Sequence, residues 1–258
     1  MGISLISGKE LRKIDSLFYG WNETLILSCL QGYMGKAWVD NSFKPKSAQI
    51  VLGDFCFFAG VPNEALLRNF PNGFCSNFII MVPQNEDWAL LIEQVYKEKA
   101  IVKPRYAIKK EKDIFDIEKL EEIVKKVSKD YEIKLIDEKL YNLVLKNEWS
   151  KDFCFQFKNY LDFKKRGLGV VALKNGELVS GASSYSIYKD GIEIEIGTKV
   201  DFRRKGLASA CGSRLILECL KRNLYPSWDA QNKSSVALAE KLGYNFDKEY
   251  VSYVIEKG

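Results

Sequence analysis

The stretch Ile192-Glu193-Ile194-Glu195-Ile196-Gly197-Thr198-Lys199-Val200-Asp201-Phe202-Arg203-Arg204-Lys205-Gly206-Leu207-Ala208 runs from a strand pattern through a basic turn into a helix. Strand side chains alternate, so the isoleucines share one face, and Glu193 and Glu195 share the other. If the sheet is covered on both faces, the two carboxylates line a cleft; if it is not, they meet solvent. Beyond the turn, Ala208, Cys211, Gly212, Leu215, Ile216, Cys219 and Leu220 fall on one helical stripe that should be buried. A strand leading through a glycine-containing turn into a helix gathers unpaired backbone N–H groups and the positive end of the helix dipole at one point. Gly206 and the small Ala208 let an anion approach the backbone, and Arg203, Arg204 and Lys205 add charge. An anion site is therefore expected here. Neither the Walker pattern nor G-x-G-x-x-G is present, which removes a P-loop and a Rossmann site.

The flanking sequence extends the pattern both ways. Leu168 to Lys174, Glu177 to Tyr188 and Ile192 to Val200 read as an antiparallel meander joined at Asn175-Gly176 and Asp190-Gly191, dipeptides that tolerate positive φ. Before it come a strand at Tyr131 to Ile136 and helices at Glu138 to Lys146 and Asp152 to Phe163. After the long helix, Tyr225 to Ala230 reads as a strand. Asn232 is an N-cap for a helix with an apolar face of Leu238, Ala239 and Leu242, ended by Gly243. Strands near Tyr244 to Asp247 and Glu249 to Ile255 close the pattern.

Residues 1–128 read as a mixed α/β domain without a chemical motif, and 129–258 as a second domain, a mixed, mostly antiparallel sheet flanked by helices. The first has helical patterns at Lys9 to Phe18 and Glu23 to Gly32. An apolar run at Ala48 to Ala59 is broken by Gly53-Asp54, and a strand follows at Phe78 to Val82. Trp88, Leu91, Ile92, Val95 and Tyr96 mark an amphipathic helix. Val102 to Ile108 suggests a strand, and Lys109 to Lys129 a charged connecting helix.

Composition narrows the chemistry. The 258 residues contain no histidine, which removes Ser-His and Cys-His dyads, imidazole ligands and an imidazole base. No metal site is expected. The six cysteines form no C-x-x-C pair, and Met1 to Leu11 lacks a basic start followed by an apolar run, so reduced thiols in a cytoplasmic protein are expected. No apolar run approaches a membrane span. The net charge of +5 is spread among acidic neighbours, so nucleic acid is not an expected partner.

The order of elements from residue 130 onward, with Arg203-Arg204-Lys205-Gly206-Leu207-Ala208 and Leu242-Gly243-Tyr244, is similar to the GNAT superfamily of N-acetyltransferases. Glu193 to Thr198, Pro226 to Asn232 and Leu238 to Tyr244 resemble the branch named for the zwittermicin A resistance acetyltransferase. Leu52-Gly53-Asp54-Phe55 with Phe58-Ala59-Gly60 resembles that branch's amino-terminal half. The resemblance implies acetyl-CoA as cosubstrate and direct acetyl transfer to an amine, with a small-molecule acceptor. The pyrophosphate would lie on the amides of Arg204 to Ala208, with Arg203 alongside. The pantetheine would run past Thr198 and Val200 toward Trp228, with Asn232 and Ser235 facing the cofactor. Glu195 would take the amine proton, with Glu193 as its rival. Ala239 stands where many relatives carry a tyrosine that protonates the leaving thiolate, which leaves Ser234, Ser235, Tyr185 or water as the donor. Tyr244 is expected to pack. A module that binds or senses acyl-CoA without turnover is the alternative. The amino-terminal half could be an acceptor-side domain, a degenerate copy of the same fold or a dimer surface, and a homodimer is among the assemblies open to the chain.

Overall fold

The computed structural model describes residues 2–70 and 78–256. In chain order the strands are β1 Ser4–Ile6, β2 Lys36–Val39, β3 Ser47–Leu52, β4 Phe55–Gly60, β5 Phe78–Pro83, β6 Ile101–Val102, β7 Arg105–Ile108, β8 Glu132–Leu135, β9 Gly169–Lys174, β10 Glu177–Tyr188, β11 Gly191–Thr198, β12 Tyr225–Ser227, β13 Asp229–Ala230, β14 Phe246–Tyr250 and β15 Tyr253–Glu256. The α-helices are α1 Thr24–Leu30, α2 Glu64–Leu67, α3 Glu86–Tyr96, α4 Ile117–Lys125, α5 Glu138–Lys146, α6 Tyr160–Arg166, α7 Leu207–Leu220 and α8 Lys233–Lys241. Two compact units result, Met1–Arg105 with Glu249–Gly258, and Tyr106–Lys248. The division falls at 105/106 rather than 128/129, and the last strand belongs with the first unit.

The first unit is a seven-stranded sheet in the order β1-β2-β3-β4-β5-β15-β6. The β4–β5 pair is parallel, and its other paired neighbours are antiparallel. Its core gathers Phe58, Leu66, Ile79, Met81, Trp88, Ile92, Tyr253 and Ile255. Gly53-Asp54 breaks the apolar run into the β3–β4 hairpin, with Leu52 opposite Phe55. The amphipathic helix expected around Trp88 is α3, capped by Asn85, whose Oδ1 accepts the Trp88 N–H at 3.1 Å. The pattern at Lys9 to Phe18 forms a 3-10 helix, Gly8–Phe18.

The second unit has a sheet in the order β12-β11-β10-β9-β8 and a smaller one in the order β13-β7-β14. The meander follows the expected turns with one change. Asn175 and Gly176 both have positive φ, +51° and +81°. The second turn instead consists of Lys189 and Asp190, since Gly191 already pairs with Tyr188 as the first residue of β11. Gly191 is there for close approach: a Cβ on it would sit 2.1 Å from the Tyr225 carbonyl oxygen on β12. Three other expectations change. The helix at Lys109 to Lys129 shrinks to α4, which begins at its Asp116 cap. The helix at Asp152 to Phe163 is a short 3-10 turn, Lys151–Phe153, and then α6, capped by Asn159. The strand at Val102 to Ile108 is broken between β6 and β7, where Pro104 has no N–H to give a ladder.

The middle of the α7 stripe is buried as expected, with Cys211, Leu215, Ile216 and Cys219 fully enclosed, whereas Ala208 and Leu220 at its ends are half-buried. The buried face is wider than the stripe because α7 packs on the sheet and also on α4. Gly212 leaves room for Leu242, whose Cδ1 would lie 2.8 Å from a Cβ there.

Candidate active site

The site is built where β11 and β12 part. The two strands run parallel and pair only at Gly191–Tyr225, Ile192–Pro226 and Glu193–Ser227. Beyond Trp228 the chain resumes as β13, pairing Asp229 and Ala230 with Ala107 and Tyr106 of β7. The edge of β11 from Ile194 to Thr198 is thus left without a β12 partner, and this edge leads straight into the basic turn.

That turn has the backbone of an anion site. Arg204 and Gly206 are both left-handed, at φ +62° and +80°, on either side of Lys205. Left-handed residues alternating with ordinary ones aim successive N–H groups into a shared concavity. Gly206 caps α7, and the first helical hydrogen bond runs from the Ala210 N–H to the Gly206 carbonyl at 3.0 Å. The amides of Leu207, Ala208 and Ser209 therefore precede the helix's own bonding. Arg203, Arg204, Lys205 and Gly206 are exposed, Ala208 is half-buried, and Leu207 is anchored in the core. Arg203 Nε donates to the Thr198 carbonyl at 3.3 Å. Lys205 Nζ donates to the Asp201 carbonyl at 3.1 Å and lies 4.8 Å from the centre of the Phe202 ring. Val200 is exposed at the start of the short 3-10 turn before these cations. Thr198 ends β11, its hydroxyl 2.7 Å from that of Ser180.

The two carboxylates do share a face but sit differently on it. Ile196 approaches α7, its Cδ1 lying 3.4 Å from where a Gly212 Cβ would be. By alternation the isoleucine face is the α7 face, and Glu193, Glu195 and Gly197 point the other way. Gly197 faces the rings of Phe153 and Trp149. Glu195 is half-buried opposite Ser183, whose hydroxyl donates to the Phe153 carbonyl at 2.6 Å. Glu193 is buried, and its Oε1 accepts the Asp229 N–H at 2.7 Å. Between them β10 carries a bulge. Ser184 pairs with Ile194 and Ser186 with Glu193, leaving Tyr185 as the extra residue. The bulge lets Ser183 and Ser186, three apart, lie opposite the two glutamates.

Asn232 and Ser235 are joined at the start of α8. Asn232 Oδ1 accepts the Ser235 N–H at 2.9 Å, the cap expected from sequence. Ser235 Oγ accepts the Trp228 indole N–H at 3.0 Å, which pins the strand break to α8. Ala239 is fully buried, and Ser234 is exposed. Tyr244 packs, as its aromatic type suggests: it is enclosed against Trp228 and Phe115, and its hydroxyl donates to the Pro226 carbonyl at 2.6 Å. Burial pushes its pKa well above the ordinary 10. Sequence reasoning missed the Asp229 amide bound by Glu193 and the bulge at Tyr185. Neither leaves a local signal, because both depend on which strands pair.

The chain matches the GNAT acetyltransferase family over residues 15–253 and belongs to it. It is thus an acyltransferase of the GNAT type, a family that uses acetyl-CoA as cosubstrate. Its fold is similar to that of a GCN5-related N-acetyltransferase-like protein from Streptococcus suis, at TM-score 0.90 and 45% identity, covering 95% of this chain and 98% of that one. A tandem GNAT protein from the clavulanic acid biosynthesis pathway shares the fold at TM-score 0.58 and 10% identity, covering 99% of each chain. The "Uncharacterized N-acetyltransferase YdfB" of Bacillus subtilis is 36% identical over 93 residues, 35% of this chain. That match spans 36% of the relative's length. Among the described residues, no group of side chains could hold a metal ion and no helix is long and apolar enough to cross a membrane.

Proposed function

We propose that the second unit binds acetyl-CoA between the basic turn and the parted strands and transfers its acetyl group directly to an amine of a small molecule. The observation that carries this reading is the junction of the β11 edge that β12 leaves with the left-handed turn at Arg204 and Gly206. The amides of Arg204 to Ala208 would receive the pyrophosphate, with Arg203, Arg204 and Lys205 offsetting its charge. Thr198 and Val200 would border the pantetheine, and Asn232 and Ser235 would close its far side. Glu195, half-buried on the face opposite α7, would accept the proton that an ammonium must lose before its nitrogen attacks. Phe153 and Trp149 near Gly197 would border the acceptor. The zwittermicin-resistance branch and a reducing, cytoplasmic setting belong to the same reading. The latter is supported by five buried, unpaired cysteines; Cys75 lies outside the described residues.

The first unit reads best as a copy of the same fold without a cofactor site. Its seven-stranded order has a counterpart in the second unit's five- and three-stranded sheets, in which β7 stands beside β14 as β15 stands beside β6. Each of β7 and β15 follows directly on the other half's preceding strand, as if the halves had exchanged their last strands. In the first unit, Pro62 has no amide to offer, Asn63 Oδ1 accepts the Ala65 N–H at 3.0 Å, and α2 is four residues long.

The test is titration with acetyl-CoA, followed by assay of CoA release across a panel of small amines. Binding with amine-dependent release supports the transferase. Binding without turnover on any amine would favour a sensing module, and absence of binding would remove the site.

A further inference from the structure

We infer that Glu193 is a positioning residue that holds the strands of the site apart, and that it does so through the Asp229 amide rather than by taking a substrate proton. The inference rests on the reading that the parted strands receive acetyl-CoA. After Glu193–Ser227 the backbone ladder between β11 and β12 stops. In a continuing parallel pair, the next β12 amide would turn to a β11 carbonyl at a strand spacing of about 4.8 Å. Here the Asp229 N–H goes to the Glu193 carboxylate instead, at 2.7 Å. A side-chain acceptor reaches farther from β11 than a main-chain carbonyl, so satisfying the amide this way keeps β13 at a distance and lets it pair with β7. Trp228, at the break, is tied to Ser235 on α8. The three ties release the β11 edge from Ile194 to Thr198.

The first unit shows the opposite arrangement at the equivalent place. Its parallel pair runs on through Phe58–Pro83. Gln84 then closes the gap: its N–H donates to the Phe58 carbonyl at 3.1 Å and its Oε1 accepts the Gly60 N–H at 3.0 Å. One unit thus uses a side chain to zip the strands, and the other uses one to part them.

Burial fits a structural carboxylate. Glu193 is 5% exposed, and a buried carboxylate is retained only where donors satisfy it. Glu195, two residues on, is the more accessible of the pair.

Amide hydrogen exchange on the ligand-free protein, comparing wild type with E193A and E193Q, tests the tie directly. In E193A the Asp229 amide should exchange at least tenfold faster, while E193Q, which keeps an accepting oxygen, should restore most of the protection. Acetyl-CoA affinity should fall roughly tenfold or more in E193A and stay within about threefold in E193Q, the range set by loss of one hydrogen bond to a charged group. The pH–rate profile of E193Q should keep the wild-type limbs. Unchanged Asp229 exchange in E193A would overturn the inference, as would loss of a pH limb in E193Q. If E193A does not fold, E193Q decides through the Asp229 amide and the profile. Wild-type protein that binds no acetyl-CoA would refute the cofactor reading, whereas the exchange measurement would still judge the tie.

Discussion

At the scale of single residues, the alternation of β11 puts two carboxylates on one face, and their surroundings separate them. Glu193 is enclosed and bound to a backbone amide, while Glu195 is half-buried beside Ser183. Glu195→Gln keeps shape and an accepting oxygen but cannot take a proton. It should lower kcat by roughly ten- to a thousandfold while acetyl-CoA affinity stays near wild type. Steady-state kinetics across pH check this, and an unchanged profile would remove Glu195 from proton transfer. A rise in acceptor KM with little change in kcat would make it an ammonium anchor instead. The alternation was legible from residues 192–196 alone. The difference between the two glutamates was not, because it depends on Asp229, thirty-six residues away.

At the scale of elements, α7 joins the basic turn to the core. Its periodic stripe was readable, and Cys211 and Cys219 are enclosed, with burial pushing both thiols up to about 12. Neither should react with a thiol reagent until denaturant is added, and rapid labelling of the folded protein would contradict the packing of this helix. Near the helix end Glu218 is buried beside Arg214, Lys221 and Arg222. Burial pushes its pKa up, but hydrogen bonds from Arg222 and Lys221 outweigh this and hold it below the ordinary 4.5. The carboxyl therefore ionises more readily in the folded chain than in the unfolded one. Its stabilisation is complete above about pH 4.5 and drains away as pH falls through the lower folded value. Glu218→Gln should cost about 1 kcal/mol at pH 7, with the deficit shrinking in acid, as thermal melts across pH would show. Elements with their own caps and turns were legible: Asn232 and Asn175-Gly176 each act locally. The break between Phe153 and α6 carried a signal in Asn159 and Asp162, and Asn159 Oδ1 does accept the Asp162 N–H at 3.0 Å.

At the scale of the whole chain, the sequence suggested two successive domains, whereas the strands distribute themselves otherwise. β15 lies between β5 and β6 of the first unit, with Tyr253 opposite both Met81 and Val102. Strand partners far apart in sequence leave no local trace, so the alternation at the C-terminus identified a strand but not its sheet. Deleting residues 251–258 removes the enclosed Tyr253 and Ile255 from the first unit's core. The loss should be roughly 3–6 kcal/mol at about 1.5–3 kcal/mol for each large side chain, a substantial part of a domain's stability. A lowered first melting transition is expected, and an unaltered melt would show that β15 is dispensable.

The claim that one site per chain, in the second unit, receives acetyl-CoA is tested most directly by calorimetric titration of wild type and Gly206→Asp. Gly206 has open space around it, but its φ of +80° strains any other residue, by about 1 kcal/mol. An aspartate there would also set a negative charge where the pyrophosphate should lie. Wild type should bind one equivalent of acetyl-CoA. Gly206→Asp should bind at least tenfold more weakly, while its melting temperature falls by only a few degrees. Two equivalents per chain, or an affinity that the substitution leaves unchanged, would contradict the assignment.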